Sequence, residues 1–185
     1  IDGDDLLAVV GVDRHQRGVL PGSTVVVTVM ANLGLRRALT DHGIAVRETA
    51  VGDRYVLEAL EADGLTLGGE QSGHMIFRDL ATTGDGLLTG IQALDAAVRA
   101  GCSLGDRVAE LVVRAPQVLH SVPVVRDGDA VVGLVVADVA RAASELGDDG
   151  RVLVRSSGTE QVVRVMAEAF DWERASAAVS YPPLT

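Results

Sequence analysis

Thr24-Val25-Val26-Val27-Thr28-Val29-Met30 is apolar at three successive central positions. An extended segment of that kind buries side chains on both faces, as a strand of a parallel or mixed sheet does. The neighbouring sequence agrees. Downstream, Asn32 is placed to cap a helix that runs to His42 and is ended by Gly43. Ile44 to Thr49 then reads as a second strand, and Asp53 to Ala62 as a helix with Val56, Leu57 and Leu60 turned inward. Upstream, Leu20-Pro21-Gly22 is a turn, and residues 4 to 17 carry Leu6, Leu7, Val9 and Val10 toward a core behind the helix-start residues Asp2 and Asp4. Strand following helix in this way predicts an α/β layer domain.

The alternation continues with short strands at Leu65 to Leu67 and His74 to Phe77, then a helix from Gly84 to Ala100 closed by Gly101. Ser103-Leu104-Gly105-Asp106 resembles a capping box, with Asp in place of the usual Glu, opening a helix to about Val113. Arg114 to Gln117, centred on Pro116, reads as a linker. Residues 1–114 are thereby expected to form an α/β layer domain with a mixed sheet. After the linker the order changes to strand (Val118 to Val125), helix (Val132 to Leu146), strand (Arg151 to Arg155), loop, strand (Val162 to Ala169) and a short helix. That order predicts a small C-terminal α+β domain over 118–185.

Composition narrows the function classes. The 185 residues are 48% hydrophobic and 23% charged, which are globular values. Aromatic residues make up only 3%, so the core has to be built from Val, Leu, Ile and Ala. A net charge of −10 argues against non-specific nucleic-acid binding, which needs a basic face. All 16 basic residues are arginine, which excludes a Walker-type phosphate loop, a Schiff base and a lysine general base. The single cysteine, Cys102, leaves no internal disulfide and no cysteine-built zinc site. No apolar run approaches the roughly 20 residues of a membrane span. The acidic start, Ile1-Asp2-Gly3-Asp4-Asp5, is unlike the basic beginning of a signal peptide. These features predict a soluble, cytoplasmic protein without membrane or nucleic-acid partners. The chain does not open on Met and starts just before a helix, so it reads as a piece of something longer.

Two loops carry the chemistry. Gly69-Glu70-Gln71-Ser72-Gly73-His74 brackets a carboxylate, an amide, a hydroxyl and an imidazole with glycines, a set suited to sugar hydroxyls. Arg155-Ser156-Ser157-Gly158-Thr159-Glu160 sits between two strands, with Arg164 on the far side of the turn. Its guanidiniums can grip phosphate bidentately, Ser157 and Thr159 add hydroxyl donors, and Gly158 lets the backbone aim N–H groups at an anion. A polar hairpin with surface arginines would carry the same residues, so neither loop decides the matter alone. Arg54, at a helix N-terminus where the dipole disfavours a cation, points either to a ligand anion nearby or to plain solvation.

Four segments occur in one order: Val51-Gly52-Asp53-Arg54-Tyr55-Val56, Gly68-Gly69-Glu70-Gln71-Ser72-Gly73-His74, Thr82-Thr83-Gly84-Asp85-Gly86, and Arg155-Ser156-Ser157-Gly158-Thr159-Glu160 with Arg164-Val165-Met166. In that order they resemble the alpha-D-phosphohexomutases. Glu70-Gln71-Ser72-Gly73-His74 and Thr28-Val29-Met30-Ala31-Asn32-Leu33-Gly34-Leu35 are most similar to the bacterial phosphoglucosamine mutase branch. The resemblance covers residues 1 to about 170 and implies the third and fourth domains of a four-domain enzyme. Such an enzyme interconverts glucosamine 6-phosphate and glucosamine 1-phosphate through a phosphoserine and a bisphosphorylated sugar. It implies Glu70, Ser72 and His74 as sugar-binding residues, and Arg155, Ser157, Gly158, Thr159 and Arg164 as phosphate-binding residues. It also implies Mg²⁺ in the full-length enzyme, held by an Asp-Gly-Asp-x-Asp-Arg loop, with the N-terminal half as this chain's partner.

The departures set limits. No Thr-x-Ser-His-Asn-Pro phosphoserine motif is present, and Asp2-Gly3-Asp4-Asp5 imitates the metal loop without its final Asp-x-Arg. It reads as a helix start, so no catalytic and no metal-binding residue is assigned within the chain, which is expected to be inactive alone. Ser156 and Gln161 stand where the family often has proline, and the tail Ser180-Tyr181-Pro182-Pro183-Leu184-Thr185 is unlike its closing helix. A phosphomannomutase or phosphoglucomutase fragment, or a phosphosugar-binding module without catalysis, would share these loops.

Overall fold

In the computed structural model, which describes residues 1–125, 127–158 and 160–179, the chain divides into two compact units, Ile1–Val113 and Arg114–Thr185. The first contains α1 (Gly3–Gln16), β1 (Thr24–Thr28), α2 (Leu33–Asp41), β2 (Ala45–Thr49), α3 (Asp53–Asp63), β3 (Leu67–Gly69), β4 (Met75–Phe77), α4 (Gly86–Ala100) and α5 (Leu104–Leu111). Its sheet runs β2-β1-β3-β4, with β1 parallel to both β2 and β3 and β4 antiparallel to β3. This is the mixed sheet expected of an α/β layer domain. Val25 and Val27 point to a core shared with Leu7, Val10, Leu35, Leu39, Leu67 and Phe77. Val26, between them, packs on the other face with Val56 and Leu60 of α3 and with Ile76. The triple-valine run is apolar throughout because both of its faces are covered.

The acidic start has structural work to do. Asp2 caps α1 and accepts from the N–H groups of Asp4 and Asp5, while Asp5 Oδ2 accepts from the Asp2 N–H at 2.9 Å, a complete capping box. Asp4 Oδ2 accepts from the Asn32 N–H at 2.8 Å, and Asn32 in turn caps α2 through Gly34 N–H at 2.9 Å. At Ser103 the box is only half made. Ser103 Oγ accepts from Asp106 N–H at 3.1 Å, but the Asp106 carboxylate takes the Ser103 hydroxyl at 2.6 Å. There the Asp106 carboxylate accepts from the Ser103 hydroxyl, whereas the Asp5 carboxylate of α1 accepts from the cap's own N–H.

The second unit contains β5 (Gln117–Pro123), α6 (Gly128–Leu134), α7 (Val136–Leu146), β6 (Gly150–Ser156), β7 (Val162–Ala169) and α8 (Trp172–Val179). Its antiparallel sheet has the order β5-β7-β6 and matches the expected α+β pattern. The helix expected over 132–146 is instead two helices, parted at Val135, and the first begins at Gly128. An almost unbroken apolar run from Ala130 to Ala137, interrupted only by Gly133, contains no periodic cue that would locate the break. Val118 and Val152 face Leu146, Ala175 and Ala178 on the helix side of the sheet. The alternate positions, including Arg155, Arg164 and Glu168, belong to the opposite face. Arg126, Thr159 and the tail Ser180–Thr185 lie outside the described residues.

Candidate functional site

The loop expected to meet sugar hydroxyls is the turn joining β3 to β4. It is closed by Gly73 N–H on Glu70 O at 2.9 Å and by Glu70 N–H on His74 O at 3.1 Å, with Gly73 at φ +93°. Glu70, Ser72 and His74 therefore stand together on one tight turn; Ser72 is exposed, and the other two are half-buried. Three neighbours arrange them. Glu70 Oε1 accepts from the Gly52 N–H at 2.9 Å, just ahead of α3, where Gly52 takes φ +131°, a backbone angle that L side chains rarely adopt. The His74 ring lies against Gly84, where a Cβ would collide with ring atoms. His74 Nε2 is buried, lies 3.7 Å from Asp53 Oδ2 and makes no hydrogen bond. Gly52, Asp53 and Gly84 belong to segments that carried the family resemblance without a role. For Gly52 and Gly84 the sequence signal was a glycine outside any helix or strand interior; Asp53 carried none.

The loop expected to meet phosphate joins β6 to β7 in the second unit. Arg155 and Arg164 are direct cross-strand partners, and Ser121 of β5 is the register partner of Arg164 on its other side. Like charges directly opposite in a sheet repel. The Arg155 guanidinium is held below the usual arginine pKa, first by burial and then by the charge of Arg164. Neither guanidinium is fully used: the Nε of each is buried without a hydrogen-bond partner. Arg155 Nη1 reaches only Ser156 O at 3.4 Å, whereas Arg164 Nη2 donates to Glu160 Oε2 at 2.9 Å. Two opposed cations with spare donors make a place for an anion.

The turn itself differs from a backbone nest. The Ser157 N–H is committed to Val162 O at 3.0 Å, closing the hairpin. Gly158 keeps φ outside the left-handed range, with nothing within 4 Å of where a Cβ would stand. Ser156 faces the helices and donates to Asp129 of α6. A hollow of about 400 Å³ on that side includes Asp127, Asp129 and Glu160 in its lining but neither arginine, so it is the wrong sign for phosphate. Thr159 lies outside the described residues.

Arg54 is answered within its own helix. Its Nε donates to Glu58 Oε1 at 2.7 Å, and that bond with the Glu58 charge raises its pKa. The cation at the helix N-terminus thus has a carboxylate four residues on and needs no ligand anion. Among the described residues, no group of three or more His, Cys, Asp or Glu could hold a metal ion, and no helix is long and apolar enough to cross a membrane. The Asp2–Asp5 carboxylates hold helix starts and do not fit the Mg²⁺ that the resemblance implies.

Residues 2–115 match the phosphoglucomutase/phosphomannomutase alpha/beta/alpha domain III, and residues 107–179 match the C-terminal domain of the same family. The chain belongs to the phosphoglucomutase/phosphomannomutase family. It is 54% identical over 173 residues to the phosphoglucosamine mutase of Acidothermus cellulolyticus, covering 91% of this chain and 37% of that protein. With the phosphoglucosamine mutase of Thermobifida fusca it shares 51% identity over 178 residues, covering 96% of this chain and 39% of that protein. The chain thus spans under two-fifths of the length of these curated relatives. Its fold is similar to that of Aspergillus fumigatus N-acetylphosphoglucosamine mutase, solved with GlcNAc-6P and magnesium. That similarity has a TM-score of 0.76 at 21% identity, over 96% of this chain and 45% of the other.

Proposed function

We propose that the chain supplies the sugar-binding and phosphate-binding parts of a phosphoglucosamine mutase, which interconverts glucosamine 6-phosphate and glucosamine 1-phosphate through a phosphoserine. The opposed pair Arg155 and Arg164 carries this reading, because two crowded guanidiniums with spare donors are relieved by a phosphate dianion. Similarity to enzymes of that name over nearly the whole chain supports the choice of substrate. Arg164 and Arg155 would hold the phosphate distal to the reacting one, with the hydroxyls of Ser157 and Thr159 beside them, while Glu70, Ser72 and His74 take the sugar hydroxyls. These residues bind and orient; the proton and phosphoryl transfers belong to the rest of the enzyme, a cytoplasmic protein in this reading. Mg²⁺, which would stabilise charge on the transferring phosphoryl group, is assigned to a loop outside these residues.

The deciding experiment assays the full-length protein on glucosamine, glucose and mannose phosphates. Preference for the glucosamine pair is expected. Preference for glucose or mannose phosphates would reassign it within the family, and binding without turnover would leave a recognition module. The purified chain alone is expected to show no turnover with glucosamine 6-phosphate, Mg²⁺ and a bisphosphate activator, since phosphoryl transfer depends on positioned charge that it does not carry.

Glu70→Ala tests the sugar loop. A mutase must bind its substrate in two orientations, so one loop has to grip hydroxyls that exchange places when the sugar turns over. Loss of Glu70 leaves buried hydroxyls without a partner at about 1–3 kcal/mol in either orientation. Forward and reverse kcat/KM should fall by similar factors, with little change in competition by inorganic phosphate. A defect in one direction only would remove Glu70 from the sugar site.

A further inference from the structure

We propose that Gly3 is a positioning residue for sugar recognition, setting the place of Glu70 and Ser72 through the backbone of the turn that carries them. The proposal rests on the reading of that turn as the sugar loop. The first residue of α1 is packed directly on it: Gly3 N–H donates to Gln71 O at 3.0 Å. A Cβ on Gly3 would stand 2.6 Å from Gly73 N, 2.9 Å from Gln71 O and closer still to Glu70 O. All three are backbone atoms of one turn, and that turn is already closed by its own hydrogen bonds, so it cannot yield one atom at a time.

The turn is also the side that must give way. The start of α1 is fixed by the Asp2–Asp5 capping box and by Asp4 holding the Asn32 N–H. A methyl group on Gly3 therefore pushes the turn off the helix, carrying Glu70 away from the Gly52 N–H that orients its carboxylate. Gly11, in the same helix, provides the contrast. A Cβ there would meet only side chains, Leu39 Cδ2 at 3.2 Å and Val25 Cγ2 at 3.3 Å. One buried glycine of α1 answers to the loop, the other to the core.

The full-length enzyme carrying Gly3→Ala or Gly11→Ala tests this through steady-state kinetics, inhibition by inorganic phosphate and thermal melting. A misplacement on the order of 1 Å costs about 100-fold, so Gly3→Ala should lower kcat/KM for the phosphohexose by about that factor. Inhibition by inorganic phosphate should not change, and Gly11→Ala should keep kcat/KM even where its Tm falls as far. A Gly3→Ala enzyme within about twofold of wild type, or a loss that Gly11→Ala or phosphate inhibition shares, overturns the role. Should Gly3→Ala not fold, exchange of the Gly3 amide in the wild-type enzyme decides. By reciprocity a sugar that depends on the held turn must tighten the hold, so the phosphohexose slows that exchange and inorganic phosphate does not. Unchanged exchange overturns the proposal. Failure of the wild type to turn over any phosphohexose sinks the functional reading, whereas normal turnover with a normal Gly3→Ala enzyme sinks the positioning role alone.

Discussion

Glu168→Ala is expected to destabilise the C-terminal unit by about 3–5 kcal/mol, the cost of breaking a buried ion pair by removing one partner. Glu168 is fully buried on β7, and its neighbours on both flanking strands are polar. Its Oε1 accepts from Gln117 Nε2 at 2.7 Å and its Oε2 from Arg151 Nε at 2.5 Å. The substitution takes the carboxylate from a guanidinium whose side chain is only 19% exposed. The apolar core of this unit is small: its buried cluster under the helices joins Leu146, Ala169 and Ala175, and Ala142, Val163, Met166 and Ala167 are buried besides. Trp172, the only tryptophan, lies on α8 of this unit, so its fluorescence follows the relevant transition. The urea midpoint of that signal should fall sharply in Glu168→Ala. In the double variant Arg151→Met, Glu168→Leu it should recover much of the loss, since apolar replacement of a whole buried pair is often neutral. A Glu168→Ala shift below about 1 kcal/mol would mean that the pair contributes no more than a surface one.

Glu168 also shows where sequence reasoning stops. The strand Val162 to Ala169 was legible from its apolar content, but a glutamate within it reads as solvent-facing until the register sets Gln117 and Arg151 beside it. Register is a property of three strands together, and no local pattern in one of them encodes it. The same limit hid Ser121, which looks like any polar strand residue until it is found next to Arg164. In the first unit the triple valine was decisive because burial on two faces leaves a mark within a single segment. Gly68 and Gly69 were misleading there: they read as loop, so β3 was expected at Leu65 to Leu67, whereas it runs Leu67–Gly69. A Cβ on Gly68 would stand 2.7 Å from Val56 Cγ1 and 2.9 Å from Val26 O, so close packing of α3 and β1 demands glycine inside the strand. The loop residues were legible as a set because glycines and polar groups cluster in sequence. What holds them, at Gly3, Gly52 and Gly84, comes from distant parts of the chain.

Arg155→Ala should cost the full-length enzyme substrate recognition without costing it the fold. A charge-assisted hydrogen bond to phosphate is worth about 1.5–3 kcal/mol, which corresponds to a fall in kcat/KM of about 10- to 150-fold. Arg155→Lys should recover little, because an ammonium offers a point charge where the guanidinium offers a planar fork. Stability should move the other way. Burial and the charge of Arg164 lower the Arg155 pKa, so the folded state binds this proton less tightly than the unfolded chain does. For a base shifted in that direction the penalty is present in full below its folded pKa and is relieved only as pH rises through it. Arginine stays protonated throughout the working range, so the penalty is constant around neutrality and a change of pH cannot remove it. An anion can. Inorganic phosphate should therefore raise the Tm of the wild type, while Arg155→Ala should melt no lower than wild type in phosphate-free buffer and gain little when phosphate is added. On the proposed reading the crowding of Arg155 against Arg164 is a stability cost offset by phosphate binding, and one melting series with and without phosphate tests both halves of it. If Arg155→Ala keeps kcat/KM within about twofold of wild type while folded, or responds to phosphate as the wild type does, the anion site lies elsewhere.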